Sequence, residues 1–327
     1  MKNELPLVQS PIIGYQHHVY PLSILLNYNE CLPWFYSNYI QLEANLTAGS
    51  AFNFVYSWYN RNPWFCHEML FLDTLTNNNI NVLEFITNCI DLGKYVETSI
   101  NHFYIPDSNF YKQKALIHDI LIYGYDRSKK VIYTYGYLNN ELKKSELTYD
   151  DFLQAFMNSG QNLHINLLKK TNDFSYAFDI QWVIDQIEDY VFSRNTYERF
   201  RMYRNPPCNS IFGLDTYKYL IDYLEALNLK KTDIYDIRHL QILYEHKKCM
   251  VKRIQYMIEV NIRGNLDKYY KEYEKIRRST YRIRTSFLKL KFSRNTNILE
   301  KAILELTQVS KIEKMILEEL LFDLKKN

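Results

Sequence analysis

The sequence predicts an α+β fold, in which an N-terminal domain built on an antiparallel sheet is followed by an all-α domain. Residues 114–138 hold two runs of aliphatic and aromatic residues, as buried strands require, separated by the polar stretch 126–129, which is typical of a tight turn. After about Asn162 the apolar residues recur at a period near 3.6, which is typical of amphipathic helices. We therefore expect two domains, residues 1–165 and 166–327.

Length and composition are typical of a globular protein with a large core. The chain has 327 residues, of which 47% are hydrophobic and 16% aromatic, and these values exclude a disordered chain. The net charge of +3 is too small to imply nucleic-acid binding by itself. No apolar run approaches the roughly 18 residues that span a bilayer, and the N-terminus lacks the apolar core of a signal peptide. We expect a cytoplasmic protein that binds neither nucleic acid nor membrane.

The sequence contains no pattern that indicates a cofactor or a metal ion. Only eight glycines occur, and neither the P-loop nor the dinucleotide-binding fingerprint is present. The cysteines are Cys31, Cys66, Cys89, Cys208 and Cys249. Their irregular spacing, without a C-x-x-C pair, favours neither a zinc site nor a disulfide framework. The neighbours His17 and His18 have no third ligand at a suitable spacing, so we expect no metal and no cofactor.

The N-terminal part begins with chain that prolines interrupt, so residues 1–28 are expected to be extended or irregular. These prolines are Pro6, Pro11 and Pro21. Pro33 fits the first turn of a helix that continues to about Ala44, since a proline there loses no hydrogen bond. Cys31 would lie at or just before the N-terminus of that helix.

The following elements have clearer boundaries. A capping-box sequence opens a helix over residues 81–92, and Gly93 ends it. Residues 94–104 alternate as a strand does, and the hairpin of residues 114–138 follows. Thr148 is expected to cap a short helix over residues 147–156. The amphipathic helices of the C-terminal domain are expected at residues 180–192, 216–227, 234–260, 266–292 and 297–324.

Cys31 and His118 are the candidate catalytic pair. Unpaired N–H groups and the positive end of the helix dipole stabilise a thiolate at a helix N-terminus. An early cysteine on a helix, followed by a histidine on a later strand, is the arrangement of papain-like enzymes. In the alternative interpretation, Cys31 is a small apolar residue and His118 is a hydrogen-bonded core histidine. The spacing by itself favours this alternative.

Basic residues of the C-terminal part form the second signal. Two groups stand out, namely Lys247, Lys248, Lys252 and Arg253, and Lys275, Arg277, Arg278, Arg282 and Arg284. Such charges are usually solvated helix faces. The functional alternative is a docking surface for an acidic partner, such as an acyl carrier protein. Tyrosines lie between these charges, as in some RNA-binding surfaces, but no RNA-binding motif accompanies them.

The segment HDILIYGYD, followed by KKVIYTYGYLNNELKKSELTYDDFLQAF, resembles the N-terminal domain family of butirosin biosynthesis protein H, a papain-like group similar to the C39 peptidases. The resemblance covers residues 12–160. It implies a papain-like fold and an enzyme of antibiotic and nonribosomal peptide biosynthesis that moves an acyl group from a carrier-protein thioester to an amine. By position, the strand histidine of the family falls on His118, and its helix-start cysteine falls on Cys31.

Two departures from the family pattern affect the site. The aspartate that orients the histidine after the second strand is missing, since residues 134–136 read TYG there. The resemblance implies Asn139 in that role, as an asparagine has it in papain-like proteases, with Asp107 and Asp119 as alternatives. If HHVYPLSIL is aligned as the nucleophile helix, Val19 or Tyr20 takes the place of the cysteine and the site is inactive.

The sequence therefore predicts a papain-like cysteine acyltransferase. Cys31 attacks a carrier-bound thioester, His118 takes its proton, and Asn139 orients the imidazole; a small amine then attacks the acyl-enzyme and forms an amide. One alternative is a cysteine peptidase or amidase with the same pair. Another is a catalytically inactive scaffold that binds an acyl or peptidyl carrier protein. The residues do not indicate the acyl group, the amine or the oligomeric state.

Overall fold

The computed structural model describes residues 1–45, 52–55, 62–160, 163–201, 209–290 and 297–326. Antiparallel sheets lie in the N-terminal part, and the C-terminal part is helical, so the fold is a mixed one. The contacts between its residues divide the chain into two compact units. The first comprises Met1–Asn29 and Ser57–Ser175, and the second comprises Glu30–Tyr56 and Tyr176–Asn327. Each unit is therefore made of two chain segments, and Glu30–Tyr56 is grouped with the C-terminal helices.

The first unit is built on an antiparallel sheet. Its strands are β1 (Lys2–Glu4), β4 (Phe65–Phe71), β5 (Tyr95–Asn101), β6 (Ile117–Asp126), β7 (Val131–Leu138), β8 (Glu141–Thr148) and β9 (His164–Lys170). They are ordered β4-β9-β5-β6-β7-β8, and β1 pairs with β6. β6 and β7 form the predicted hairpin, and Asp126 stabilises its turn by accepting from the backbone N–H groups of Ser128 and Lys129.

The described residues of the first unit form four α-helices. They are α1 (Gln16–Leu25), α3 (Leu72–Asn77), α4 (Val82–Asp91) and α5 (Tyr149–Met157). Asn81 accepts from the N–H of Glu84 and Thr148 accepts from the N–H of Asp151, so the two predicted N-caps of α4 and α5 are confirmed. Buried aliphatic and aromatic side chains of α4 and α5 join those of β5, β6 and β9 in one core cluster.

α1 lies where the sequence predicted irregular chain, and that prediction is wrong. Pro21 is inside the helix, where it cannot donate a backbone hydrogen bond. Residues 18–25 are all buried, and such packing provides most of the stability of a short helix, so it outweighs the lost bond. The Tyr20 hydroxyl donates to the backbone carbonyl of Asp119 on β6 over 2.7 Å and so fixes α1 against the sheet.

The second unit is mainly helical. Its helices are α2 (Leu32–Ser37), α6 (Ile180–Val191), α7 (Thr216–Asn228), α8 (Arg238–Glu259), α9 (Leu266–Leu290) and α10 (Asn297–Lys325). A small antiparallel sheet accompanies them, in the order β10-β2-β3, from β2 (Leu42–Asn45), β3 (Phe52–Phe54) and β10 (Ser210–Phe212). Within the part of the chain described, no helix combines the length and the apolar character that a membrane crossing requires.

α2 is shorter than predicted, because Arg253 of α8 binds the chain directly after it. The guanidinium is fully buried. It donates to the carbonyls of Tyr36 over 2.7 Å and of Tyr39 over 3.1 Å, and also to the carbonyl of Asn38. These bonds satisfy carbonyls that a helix end leaves without partners. The chain then enters β2, so the expected helix to Ala44 is not formed.

Lys247 of α8 and Glu313 of α10 form a fully buried ion pair, which we call the central ion pair. The lysine Nζ lies 2.7 Å from the glutamate Oε1 and also 2.9 Å from the hydroxyl of Tyr190. Three tyrosine hydroxyls donate to the carboxylate, from Tyr190 of α6, Tyr217 of α7 and Tyr273 of α9. Side chains of five helices therefore meet at one polar centre, and each described charge there has partners.

Candidate functional site

Cys31 ends a short 3-10 turn directly before α2, so it lies at a helix start as predicted. Its side chain is fully buried. It belongs to the second unit, whereas His118 belongs to the first. A nucleophile that receives a carrier-bound acyl group has to meet its substrate, and reactive cysteines are at least partly exposed. The nucleophilic role of Cys31 stays a prediction, and the burial of its thiol speaks against it.

Thiol labelling tests this burial. With iodoacetamide under native conditions we expect modification of Cys66, which is exposed on β4, and protection of Cys31. Cys249 is the matched control, because it is also buried and its burial raises the pKa of the thiol to about 11. All three should react in urea, as peptide mass spectrometry would detect. Labelling of Cys31 at the rate of Cys66 would contradict the expectation. Cys208 lies outside the described residues.

His118 lies near the start of β6, on a strand as predicted, and Gln16 contacts its ring. Gln16 is the first residue of α1. Its side-chain Nε2 lies 3.0 Å from Nδ1 and 2.8 Å from Nε2 of the histidine, so the amide can donate to whichever ring nitrogen carries no proton. The strand histidine therefore contacts the first residue of a helix, as predicted for a papain-like site. This helix is α1, however, and not the helix α2 that follows Cys31. Val19 and Tyr20, the expected substitutes for a cysteine on this helix, are fully buried further along it.

Two aromatic rings complete the surroundings of His118. The ring of Tyr137 on β7 meets it edge-on, with the ring centroids 6.1 Å apart. The ring of His102 lies 5.8 Å away, also edge-on. Burial, helped by the nearby charge of His118, lowers the pKa of His102 to about 4, so this imidazole is neutral at neutral pH. Its Nδ1 is 3.3 Å from the Ser108 hydroxyl.

Asn139 does not orient the histidine in the way the resemblance implied. Its side-chain Oδ1 accepts from the N–H of Asn109 over 2.7 Å, and its Nδ2 donates to the carbonyl of Asp107 over 2.8 Å. Asn139 and Asn140 have φ values of 57° and 65° and form the two-residue turn between β7 and β8. The side chain thus holds a loop. Of the two alternatives, Asp107 contributes a backbone carbonyl to that loop.

The other alternative, Asp119, is also engaged elsewhere. Its Oδ1 accepts from the hydroxyl of Ser99 over 2.6 Å, on the neighbouring strand β5. Among the described contacts of His118, the polar partner is therefore Gln16, which sequence reasoning missed. The amide of a glutamine carries no signature of chemistry, and the helix that presents it was not predicted.

A groove of about 470 Å³ is lined in part by Tyr137, the residue whose ring contacts His118. One wall is the N-terminal segment of residues 7–13, and the other comes from β7, β8 and the turn between them. Tyr137 lines the groove and contacts the His118 ring, and its hydroxyl donates to the carbonyl of Ile13. Lys143 and Lys144 of β8 also line it, together with Glu141, so the β8 edge of the groove carries one net positive charge.

The basic groups of the C-terminal part do not form the bare cationic face that a docking surface needs. Lys247 and Arg253 are buried inside the second unit. Three more of these cations pair with carboxylates at 2.7–2.9 Å. The pairs are Lys275 with Glu272, Arg277 with Glu274 and Arg282 with Glu305. Together with Glu313, which pairs with Lys247, these carboxylates offset four of the nine positive charges in the two groups.

Within the described ranges, no group of three or more histidine, cysteine, aspartate or glutamate side chains is arranged to hold a metal ion. A comparison with models of known protein families gives no match to the chain, and a comparison with curated proteins gives none either.

Proposed function

We propose that this chain is a non-catalytic, papain-like binding protein for a carrier-bound acyl or peptidyl group, related to the N-terminal domain family of butirosin biosynthesis protein H. The observation that carries the proposal is Gln16. Where a papain-like enzyme has its nucleophile, at the start of a helix facing the strand histidine, this chain has a carboxamide. An amide nitrogen is not a nucleophile at neutral pH, and here it serves as a hydrogen-bond donor to His118.

The groove lined by Tyr137 supports a carrier-borne ligand. Carrier proteins present their acyl groups on a phosphopantetheine arm, which combines a phosphate with a slender amide chain. Lys143 and Lys144 supply cations for the phosphate at one edge of the groove. Tyr135 and Tyr137 supply aromatic wall surface for the chain. Tyr137 also contacts the ring of His118, and a ring N–H of that histidine can donate a hydrogen bond to a thioester carbonyl.

The acyltransferase is the second candidate. The observation that favours it is the position of Cys31 directly before α2, with Pro33 in the first turn of that helix. For this activity the thiol has to become accessible, because it is fully buried in the structure. The peptidase or amidase alternative has the same requirement.

Incubation with a carrier protein charged with an acyl-phosphopantetheine separates these candidates. We expect binding without a covalent adduct and without release of free acid, as intact-protein mass spectrometry and a binding titration would detect. The Lys143→Glu/Lys144→Glu variant should bind about tenfold or more weakly, because it reverses two charges at the groove. Lys129→Glu/Lys130→Glu is the matched control, since it reverses two exposed charges at the β6–β7 turn.

Two results would overturn the proposal. An acyl adduct on Cys31 that is lost in Cys31→Ala would establish a cysteine-nucleophile enzyme, with amide formation identifying the acyltransferase and free acid the peptidase or amidase. Absence of carrier binding would exclude both the binding protein and the acyltransferase. Gln16→Cys provides a positive control for the geometry. If the start of α1 holds the place of the nucleophile, this variant should acquire an acyl adduct at position 16.

A further inference from the structure

α10 carries a row of large apolar side chains that face solvent. Leu304, Ile312, Met315 and Phe322 are 61%, 50%, 63% and 60% exposed. At about 100° of rotation per residue, these four positions lie within about 80° of one another around the helix. Single exposed apolar residues are ordinary, but four large ones on one side of a helix are typical of an interaction surface, even with polar residues such as Gln308 between them.

A groove of about 430 Å³ lies at the N-terminal end of this row. Leu304 of α10 and Leu229, directly after α7, provide apolar lining, and Glu225 and Glu300 provide negative charge. Leu229 is 62% exposed. A groove with this lining is suited to an apolar side chain that is accompanied by a cation.

The C-terminal end of the same helix presents that combination. The ring of Phe322 is exposed, and the Nζ of Lys326 lies 3.8 Å from its centroid. When two α10 helices run antiparallel, the register that places Phe322 opposite Leu304 also places Lys326 opposite Glu300. The ring would then enter the groove of the other copy, and the ammonium would reach its glutamate.

Other charges along the exposed face could also pair between two antiparallel copies, as Glu300 and Lys326 do. In chain order they include Glu300, Lys311 and Glu318 of α10 and Lys326 directly after it, all of them exposed. When the helix direction is reversed, Glu300 lies opposite Lys326. Lys301 lies opposite Lys325 and Glu319 opposite Thr307, but Lys325 and Glu319 pair with Glu188 and Lys268 of their own chain. In the same register Lys311 lies within one helical turn of Glu318 on the other helix. The pairs Glu300–Lys326 and Lys311–Glu318 are therefore complementary in charge across a two-fold axis, as an isologous interface requires.

We propose that two copies of this chain associate through the exposed faces of α10, antiparallel about a two-fold axis near position 313. Phe322 of each copy fills the groove beside Leu304 of the other, and Lys311 pairs with Glu318. α10 has 29 residues and is about 43 Å long. A contact along one helix of this length is small for a dimer interface, so we expect a reversible dimer rather than a permanent one.

Sedimentation velocity over a wide range of protein concentration tests the association. We expect the mass to rise from that of the monomer to that of the dimer. Phe322→Ser should weaken the association about tenfold or more, because it empties both grooves at once. A monomer at every concentration would overturn the proposal.

A charge exchange tests the antiparallel register. Lys311→Glu and Glu318→Lys should each weaken the dimer, and the double variant should restore it, because the pair is re-formed with the signs exchanged. The contact of Glu318 with Lys314 of its own helix, at 4.0 Å, is exposed and contributes little. Lys252→Glu on α8 is the control and should leave the dimer unchanged. A dimer that tolerates both single reversals and Phe322→Ser would contradict the interface.

Discussion

Glu313→Ala is expected to lower the free energy of unfolding by about 3–5 kcal/mol, because it leaves a buried lysine without its counter-ion. Burial lowers the pKa of Lys247 to about 8, and the charge and hydrogen bond of Glu313 oppose that effect. Without the carboxylate, burial alone acts and the pKa falls further, so the lysine tends to lose its proton. The tyrosine hydroxyls that donate to Glu313 also lose their acceptor. Urea unfolding would measure the loss.

A double-mutant cycle shows whether the pair itself carries this free energy. Lys247→Met/Glu313→Leu should cost less than the sum of the two single changes, because no isolated charge remains in the interior. Additive losses would show that the two groups act independently. Glu272→Ala provides the control, since Glu272 pairs with an exposed Lys275 on the surface of α9 and should change stability by less than about 1 kcal/mol.

Arg253→Ala is expected to destabilise the chain by about 3–4 kcal/mol. The substitution removes a fully buried guanidinium and leaves the backbone carbonyls of Tyr36, Asn38 and Tyr39 without this donor. Such carbonyls cannot turn to water without opening the chain between α2 and β2. Thermal and urea unfolding would both record the loss.

Arg253→Lys should recover only part of this stability, because an ammonium cannot reproduce the planar set of donors that reaches several carbonyls at once. Lys252→Ala changes the neighbouring residue, which is exposed, and should alter stability by about 0.5 kcal/mol or less. If Arg253→Ala is as mild as Lys252→Ala, the anchoring role of the guanidinium is wrong.

Much of the fold could be predicted wherever local signals agree. The β6–β7 hairpin was predicted because two apolar runs flank polar turn residues, and the N-caps at Asn81 and Thr148 were predicted from their hydrogen-bonding side chains. α1 was missed because Pro21 is a local signal against a helix. The burial of residues 18–25, which stabilises the helix despite the proline, arises only when the chain is folded. The grouping of Glu30–Tyr56 with the C-terminal helices depends on residues far along the chain, such as Arg253.

The candidate site was predicted only in part, for the same physical reason. The strand position of His118 follows from the hairpin pattern. The contact with Gln16 follows from the packing of α1, and nothing in the local sequence marks that glutamine. Asn139 was given a catalytic role from a resemblance, although adjacent asparagines between two strands also predict a tight turn with positive φ.

The assignment of Glu30–Tyr56 to the second unit has a consequence for how the protein is made. A ribosome releases this segment early, whereas the α8 residue that binds its backbone, Arg253, emerges more than two hundred residues later. Until then buried aromatic residues such as Phe35, Phe52 and Phe54 lack their final surroundings. Truncation after Ser175 would remove the helices against which Glu30–Tyr56 packs. A single cut between the two units would therefore expose apolar surface of this segment and favour aggregation.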